Sequence, residues 1–246
     1  MKQSSVVKIV LVFVISLLSA NALSHDADYF EGVKLYKNGD FRSALIHFQK
    51  SALKGDPDAQ FNVAEMYIRG VGTPKNTAES YKWYKAAADQ GVVDASVSLG
   101  DMYALGQVPG GEKDYSEAMR LYKFAAGSGN IPATYDIGRM YLFGYGVKKD
   151  YGTAAHWFRL AADRGDVYAQ FNLGAMYANG DGLVADDVEA YKWLTIASRG
   201  GDKAADGVLD KLAEKMPPAL ISKAIKETDE WMANHPRGPT GFYLGK

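Results

Sequence analysis

Four histidines, His25, His47, His156 and His235, are the side chains of this 246-residue chain best suited to hold a metal or to exchange a proton near neutral pH. None stands four residues from another and no His-Glu-x-x-His run occurs, so no helix face offers two imidazoles to one zinc ion. Ser51-Ala52-Leu53-Lys54 has the Ser-x-x-Lys spacing with which acyl-transfer enzymes that react with β-lactams place a lysine one turn from a serine nucleophile. The companion runs Ser-Asp-Asn and Lys-Thr-Gly are missing, and a β-lactam hydrolase is left as a remote alternative. Gly106-Gln107-Val108-Pro109-Gly110-Gly111 has the glycine spacing of a phosphate loop, but Glu112 follows where a lysine is needed to neutralise phosphate. No cysteine exists to act as nucleophile, metal ligand, disulfide partner or lipid-modified residue. The sequence therefore assigns no catalytic residue, no metal and no cofactor, and the chain reads as a binding protein and not as an enzyme.

The elements that would carry any site are set by an internal repeat. From an Asp or Asn, positions 4, 8, 11 and 12 further along share one helical face. Five segments fit, starting at Asp40, Asn76, Asp114, Asp150 and Asp186, at spacings of 36, 38, 36 and 36 residues. Each start is a helix N-cap candidate, because its short side-chain oxygen can accept from free backbone N–H groups of the first turn. Fifteen residues on stands glycine in every case: Gly55, Gly91, Gly129, Gly165 and Gly201. Offset 8 is bulky (Phe48, Tyr84, Tyr122, Phe158, Leu194), and offset 12 is small (Ala52, Ala88, Ala126, Ala162, Ser198), as two close-packed helices require. A second helix precedes each later cap. It carries Ala59, Ala95, Ala133 or Ala169, then Val63, Leu99, Ile137 or Leu173, then the small Ala64, Gly100, Gly138 or Gly174, and then Tyr67, Tyr103, Tyr141 or Tyr177. Glycine-rich turns such as Gly144-Tyr145-Gly146 reverse the chain between the two.

The pattern Ala-x3-Leu-Gly-x2-Tyr-x2-Gly-x-Gly-Val-x2-Asp, followed by Ala-x2-Trp and Ala-Ala-x2-Gly, resembles the Sel-one-like repeat (SLR) family, a relative of the tetratricopeptide repeats. Residues 133–165 carry nearly every signature position, among them Ala133, Gly138, Tyr141, Asp150, Trp157 and Gly165. The resemblance implies an all-α, right-handed α-solenoid of stacked antiparallel helix-turn-helix repeats, and a role as an adaptor that assembles or regulates other proteins. A cysteine-rich branch of the family associated with penicillin binding has a disulfide in each hairpin, which this chain cannot form.

The resulting organisation has residues 25–57 as an N-terminal capping repeat, whose short Lys37-Asn38-Gly39 turn is closer to a tetratricopeptide unit. Four SLR repeats follow at 58–93, 94–131, 132–167 and 168–201. Residues 202–233 form a degenerate helical cap, needed because a solenoid's last hairpin has no neighbour to cover its apolar face. A mobile tail is expected at 234–246. The two residues that make one spacing 38 fall in the loop Leu105 to Lys113.

Residues 1–24 read as a signal peptide: Lys2 and Lys8 precede the uncharged run Ile9 to Leu18, and small residues stand at Ala20, Ala22 and Ser24. Cleavage after Ser24 or Ala22 would send the chain to the periplasm or outside the cell. The run is about half of the ~20 residues needed to cross a bilayer, so no stable membrane insertion is expected after cleavage. Removing residues 1–24 takes away two lysines and no acid, moving the formal charge from −1 to −3, which points away from nucleic acid. With 47% hydrophobic and 23% charged residues, the remainder is composed like a packed domain.

A partner's site follows from the helical wheel. In solenoids of this kind the first helix of each repeat lines the concave side. Two positions before each core Val, Leu or Ile stand Phe61, Val97, Tyr135 and Phe171, with Tyr29 extending the row; one turn further stand Glu65, Asp101, Arg139 and Ala175. An aromatic row edged by charges could stack on a protein or peptide partner, or on an envelope polysaccharide or peptidoglycan strand. The same aromatics could instead pack against the adjacent repeat, and that choice is open at the level of sequence. Trp83, Trp157 and Trp193, at offset 7, are expected between helices.

Overall fold

The computed structural model describes residues 25–235, so the segment 1–24, expected to be a signal peptide, and the tail after 235 lie outside the described residues. Twelve helices and no strand occur among the described residues. The described residues form two compact units, one ending at Lys113 and the other starting at Asp114. The first contains α1 (Ala27–Lys37), α2 (Phe41–Leu53), α3 (Pro57–Arg69), α4 (Thr77–Asp89) and α5 (Val93–Leu105). The second contains α6 (Tyr115–Gly127), α7 (Ile131–Phe143), α8 (Tyr151–Ala162), α9 (Val167–Asn179), α10 (Asp187–Arg199), α11 (Ala204–Lys215) and α12 (Pro218–Asn234).

Helix starts follow from short acceptor side chains. Asp40 accepts from the Ser43 N–H and Asn76 from the Glu79 N–H; Asp114, Asp150 and Asp186 do the same for α6, α8 and α10. Asp56, Asn130 and Asp166 cap α3, α7 and α9 in the same way. Each such cap contributes about 1 kcal/mol relative to alanine. Gly70, Gly144 and Gly180 close α3, α7 and α9 in the left-handed conformation, at φ of 70°, 76° and 74°.

Packing within each unit pairs a small residue on the first helix of a hairpin with a bulky one on the second. In the first unit, a Cβ added to Gly32 of α1 would stand 2.8 Å from the Phe48 ring of α2. In the second, a Cβ on Gly138 of α7 would meet the Phe158 ring at 2.7 Å, and one on Gly174 of α9 would meet Leu194 at 2.8 Å. The bulky partners are buried, and their neighbours Ala44, Ala52, Ala154 and Ala162 are buried as well. The core of the first unit runs through Tyr29, Phe48, Val63 and Met66; in the second, Phe158, Leu173, Trp193 and Ile196 form its centre.

The turns add a backbone contact. Gly146 follows α7 at φ 68°, and a Cβ there would lie 2.5 Å from Cβ of Tyr115, the first residue of α6. A Cβ added to Gly182 would lie 2.3 Å from the carbonyl carbon of Tyr151, the first residue of α8. Only glycine allows the chain to pass so close.

At the end of the second unit, Ala205 and Leu212 of α11 join Val188, Leu194 and Ala197 of α10 in one apolar cluster. Pro218 takes the first turn of α12, where its missing N–H costs nothing. α12 then lies along α10: the Trp231 ring meets Trp193 at 5.4 Å, and Asp229 pairs with Arg199 at 2.5 Å. No described helix is long and apolar enough to cross a membrane.

Candidate interaction face

Ser51 and Lys54 carry the one spacing in the sequence that would suit covalent chemistry. Ser51 is fully buried in α2. Lys54 Nζ lies 2.6 Å from both Asp26 Oδ2 and Asp28 Oδ2, and these two carboxylates hold its pKa above the ordinary lysine value. Two carboxylates beside the amine favour its protonated form, which has no lone pair to accept a serine proton. The four histidines have separate neighbours: His25 bridges Asp56 at 2.8 Å and Asp58 at 3.3 Å, His47 meets Asp28 at 3.1 Å, His235 bonds the Trp231 carbonyl at 2.8 Å, and the His156 ring stands edge-on to Trp157 at 6.0 Å. Among the described residues no three His, Asp or Glu side chains gather in a way that could hold a metal ion.

The row on the first helices divides between the units. In the first unit, Tyr29 is 8% exposed, stacked on His25 at 4.0 Å and tilted against Phe48 at 5.9 Å. Burial, with Asp58 and Asp56 nearby, pushes its phenol pKa up to about 12. Phe61 is 8% exposed and packs on Tyr84 at 5.8 Å. Both are therefore chiefly packing residues of their hairpins. Glu65 takes the Tyr84 hydroxyl as a donor and pairs with Arg69 at 2.6 Å; burial, reinforced by this carboxylate, raises the Tyr84 pKa. Val97 is half-buried and Asp101 exposed on α5.

In the second unit the row is more open. Tyr135 is half-buried against Phe158 at 5.5 Å, and Tyr168, 65% exposed, lies 6.1 Å from it. Arg139 is exposed, sits 5.8 Å over the Tyr135 ring and pairs with Asp136 at 3.0 Å. Asn172 donates to the Tyr135 hydroxyl at 3.5 Å and to the Tyr168 carbonyl at 2.8 Å. Phe171 packs into the α10–α11 cluster. Glu65 and Arg139, the charges expected to fix a partner's register, are each paired within their own helix, which weakens that lever.

Tyr168 and Asn172 are site residues that the wheel argument passes over. Asn172 had a detectable signal, because position 3 beyond the recurrent alanine is polar each time: Asn62, Ser98, Asp136 and Asn172. Tyr168 had none, since its counterparts are Asp58, Asp94 and Pro132. The surface formed by Tyr135, Tyr168, Asn172 and Arg139 offers aromatic faces beside an amide and a guanidinium, groups that recognise a peptide backbone and its carboxylates.

Comparison with known proteins places this architecture. A model of the Sel1 repeat matches residues 19–56, 57–92, 93–130, 131–166 and 167–202, so the first hairpin, despite its short turn, counts as a fifth repeat. A protective antigen of uropathogenic Escherichia coli with an SLR fold is 32% identical and superimposes with a TM-score of 0.70, over 83% of this chain and 45% of the antigen. A Sel1 repeat protein of Oxalobacter formigenes is 34% identical, with a TM-score of 0.65, over 76% of this chain and 54% of its own. An uncharacterised protein of Neisseria meningitidis is 35% identical over 63 residues, 26% of this chain and 14% of that protein. The chain thus spans about half the length of these solved structures and a smaller part of the curated relative. The fold is the all-α solenoid class of these structures, and this chain belongs to the Sel1 repeat family.

Proposed function

We propose that this chain is an exported scaffold that binds a peptide or protein partner through the first-helix faces of its repeats, and that it performs no catalysis. Service as a protein–protein interaction scaffold is common in the Sel1 repeat family. The observation that carries the reading is the exposure of Tyr168 beside Tyr135, Asn172 and Arg139, a set whose polar groups are already oriented by one another. Export rests on Lys2, Lys8 and the uncharged run Ile9 to Leu18.

The test is crosslinking in intact cells with the wild-type chain and with a Tyr168→Ala, Arg139→Glu variant. Both side chains are largely solvent-facing, so helicity is expected to hold while the crosslinked partner is lost. Capture that survives both substitutions rejects this face. A second reading, a binder of envelope polysaccharide or peptidoglycan, is favoured by one observation in the second unit: Tyr145 stacks on Tyr115 at 5.1 Å and on Phe143 at 5.4 Å, with Phe143 and Tyr145 both exposed. Sedimentation with purified cell-wall material, lost on Tyr145→Ala, would select it over the first.

A further inference from the structure

Both ring nitrogens of His25 face carboxylates in the first unit: Nδ1 stands 2.8 Å from Asp56 Oδ2, and Nε2 stands 3.3 Å from Asp58 Oδ2. Only the protonated ring has two N–H donors; a neutral imidazole turns a lone pair toward one of the two acids. Asp56 is buried, and its other oxygen accepts from the Ala59 N–H in the first turn of α3. Burial holds the Asp58 carboxyl above its ordinary value; His25 opposes that rise, and Asp56 and Asp94 add to it. Of the other basic groups near the start of α1, Lys54 is committed to Asp26 and Asp28, and His47 to Asp28. The His25 charge compensates Asp56 and Asp58 where water screens them least, and a carboxylate left unpaired there is costly.

The same ring covers an aromatic side chain. It lies on Tyr29 at 4.0 Å with 11° between the planes and meets Phe30 edge-on at 5.9 Å, and Tyr29 is only 8% exposed. The Asn62 amide hydrogen-bonds the Tyr29 hydroxyl. A tyrosine on one repeat and an asparagine on the next is also the Tyr135–Asn172 pair, which stands beside the exposed Tyr168 in the second unit. There the residue four before the tyrosine is Ile131, which carries no charge, where the first unit has His25.

We propose that His25 is a pH-released lid: as an imidazolium it bridges Asp56 and Asp58 and covers Tyr29, and on losing its proton it lifts away and opens the Tyr29–Asn62 pair. The direction follows from the donors. Below the range in which the ring titrates, both carboxylates are served and the lid is shut. Above it, one carboxylate faces a lone pair, the bridge is lost, and the stacked ring is held by its contacts with Tyr29 and Phe30 alone. The first unit thus holds a latent copy of the tyrosine–amide surface that the second unit displays permanently. What the opened pair binds rests on the peptide-binding reading given above; the lid itself does not.

Isotope-labelled tyrosine rings in the full chain report the lid by NMR, with Tyr29→Phe assigning the resonance. Burial pushes the Tyr29 phenol pKa up to about 12, so its own ionisation stays out of the range tested. Raising the pH from about 5 to about 8, the span over which imidazole side chains change charge, should remove the ring-current displacement that stacking imposes and admit a soluble paramagnetic agent to Tyr29. His25→Ala should leave Tyr29 open at both ends of the range. Asp58→Asn should keep it covered at both, because the amide donates to the neutral Nε2 while Nδ1–H still serves Asp56. His25→Gln, which does not titrate, should show no step, and circular dichroism should find helicity unchanged in all three. A Tyr29 that stays covered across the whole range overturns the proposal. So does a step that survives in His25→Ala or His25→Gln, because another group is then titrating, and so does an unaltered step in Asp58→Asn, because that carboxylate then does not hold the ring. None of these measurements involves a partner, so a failed lid leaves the Tyr168 face standing, and loss of that face leaves the lid.

Discussion

Gly138→Ala tests the packing rule on which the repeat rests, because two opposing effects of known size meet at one atom. Alanine in place of glycine inside a helix gains about 1 kcal/mol of helix propensity. The added Cβ would, however, stand 2.7 Å from two atoms of the Phe158 ring, closer than carbon atoms approach, and Phe158 is fully buried. Forcing a methyl group into a packed interior costs about 1–3 kcal/mol. The expected net is a loss of about 0–2 kcal/mol, or up to roughly 8 °C in Tm for a chain of this size. Gly207→Ala is the matched control: it sits within α11 with nothing within 4 Å of the added methyl, and stability should rise by about 0.5–1 kcal/mol. Thermal and urea denaturation of both variants gives the comparison. Phe158→Leu in the Gly138→Ala background should relieve part of the clash, visible as a favourable coupling in a double-mutant cycle. If Gly138→Ala is as stabilising as Gly207→Ala, the small-against-large pairing does not set the helix separation, and the reasoning from offset 8 fails.

Gln170 and Gln60 occupy the same repeat position, but Gln60 Oε1 accepts from Gln90 at 2.8 Å, whereas the residue equivalent to Gln90 is Gly200 and Gln170 Oε1 is buried without a partner. Urea denaturation should find Gln60→Met destabilising by about 1 kcal/mol and Gln170→Met neutral or stabilising. Asp150→Ala removes the acceptor for the Thr153 N–H and should cost about 1 kcal/mol, most of it recovered by Asp150→Ser. Asp26 is held down to a pKa of about 2 by the Lys54 ammonium and then by the Tyr29 N–H, below its ordinary 3.8. A depressed carboxylate pKa contributes stability above the ordinary value that is lost as pH falls through the folded one, so Asp26→Asn should flatten the loss of stability between pH 4 and pH 2 in an acid titration followed by circular dichroism.

Much of the architecture is legible in the sequence because local rules and packing rules coincide there. All five Asx starts are caps, since a short oxygen-bearing side chain ahead of an apolar period has one favourable place to go. Ser51, read as a small interface residue, is one, because offset 11 faces the partner helix in every repeat. The site was less legible. Residues two positions before the core lie at the edge of the apolar face, and whether they are covered depends on groups supplied from elsewhere: His25 for Tyr29, Tyr84 for Phe61. Trp157 and Trp193 share an offset, yet Trp193 is buried by a helix that arrives almost forty residues later. Such coverage is a tertiary fact that a helical wheel does not contain.

The glycines at 146 and 182 tie each turn to the first residue of an earlier helix through main-chain atoms and a Cβ. Register in the stack is thereby fixed by groups that every amino acid possesses. Outward-pointing side chains can then be exchanged with little disturbance to how hairpins mesh, so a lineage can acquire new binding preferences through point changes alone while the frame that displays them is inherited intact.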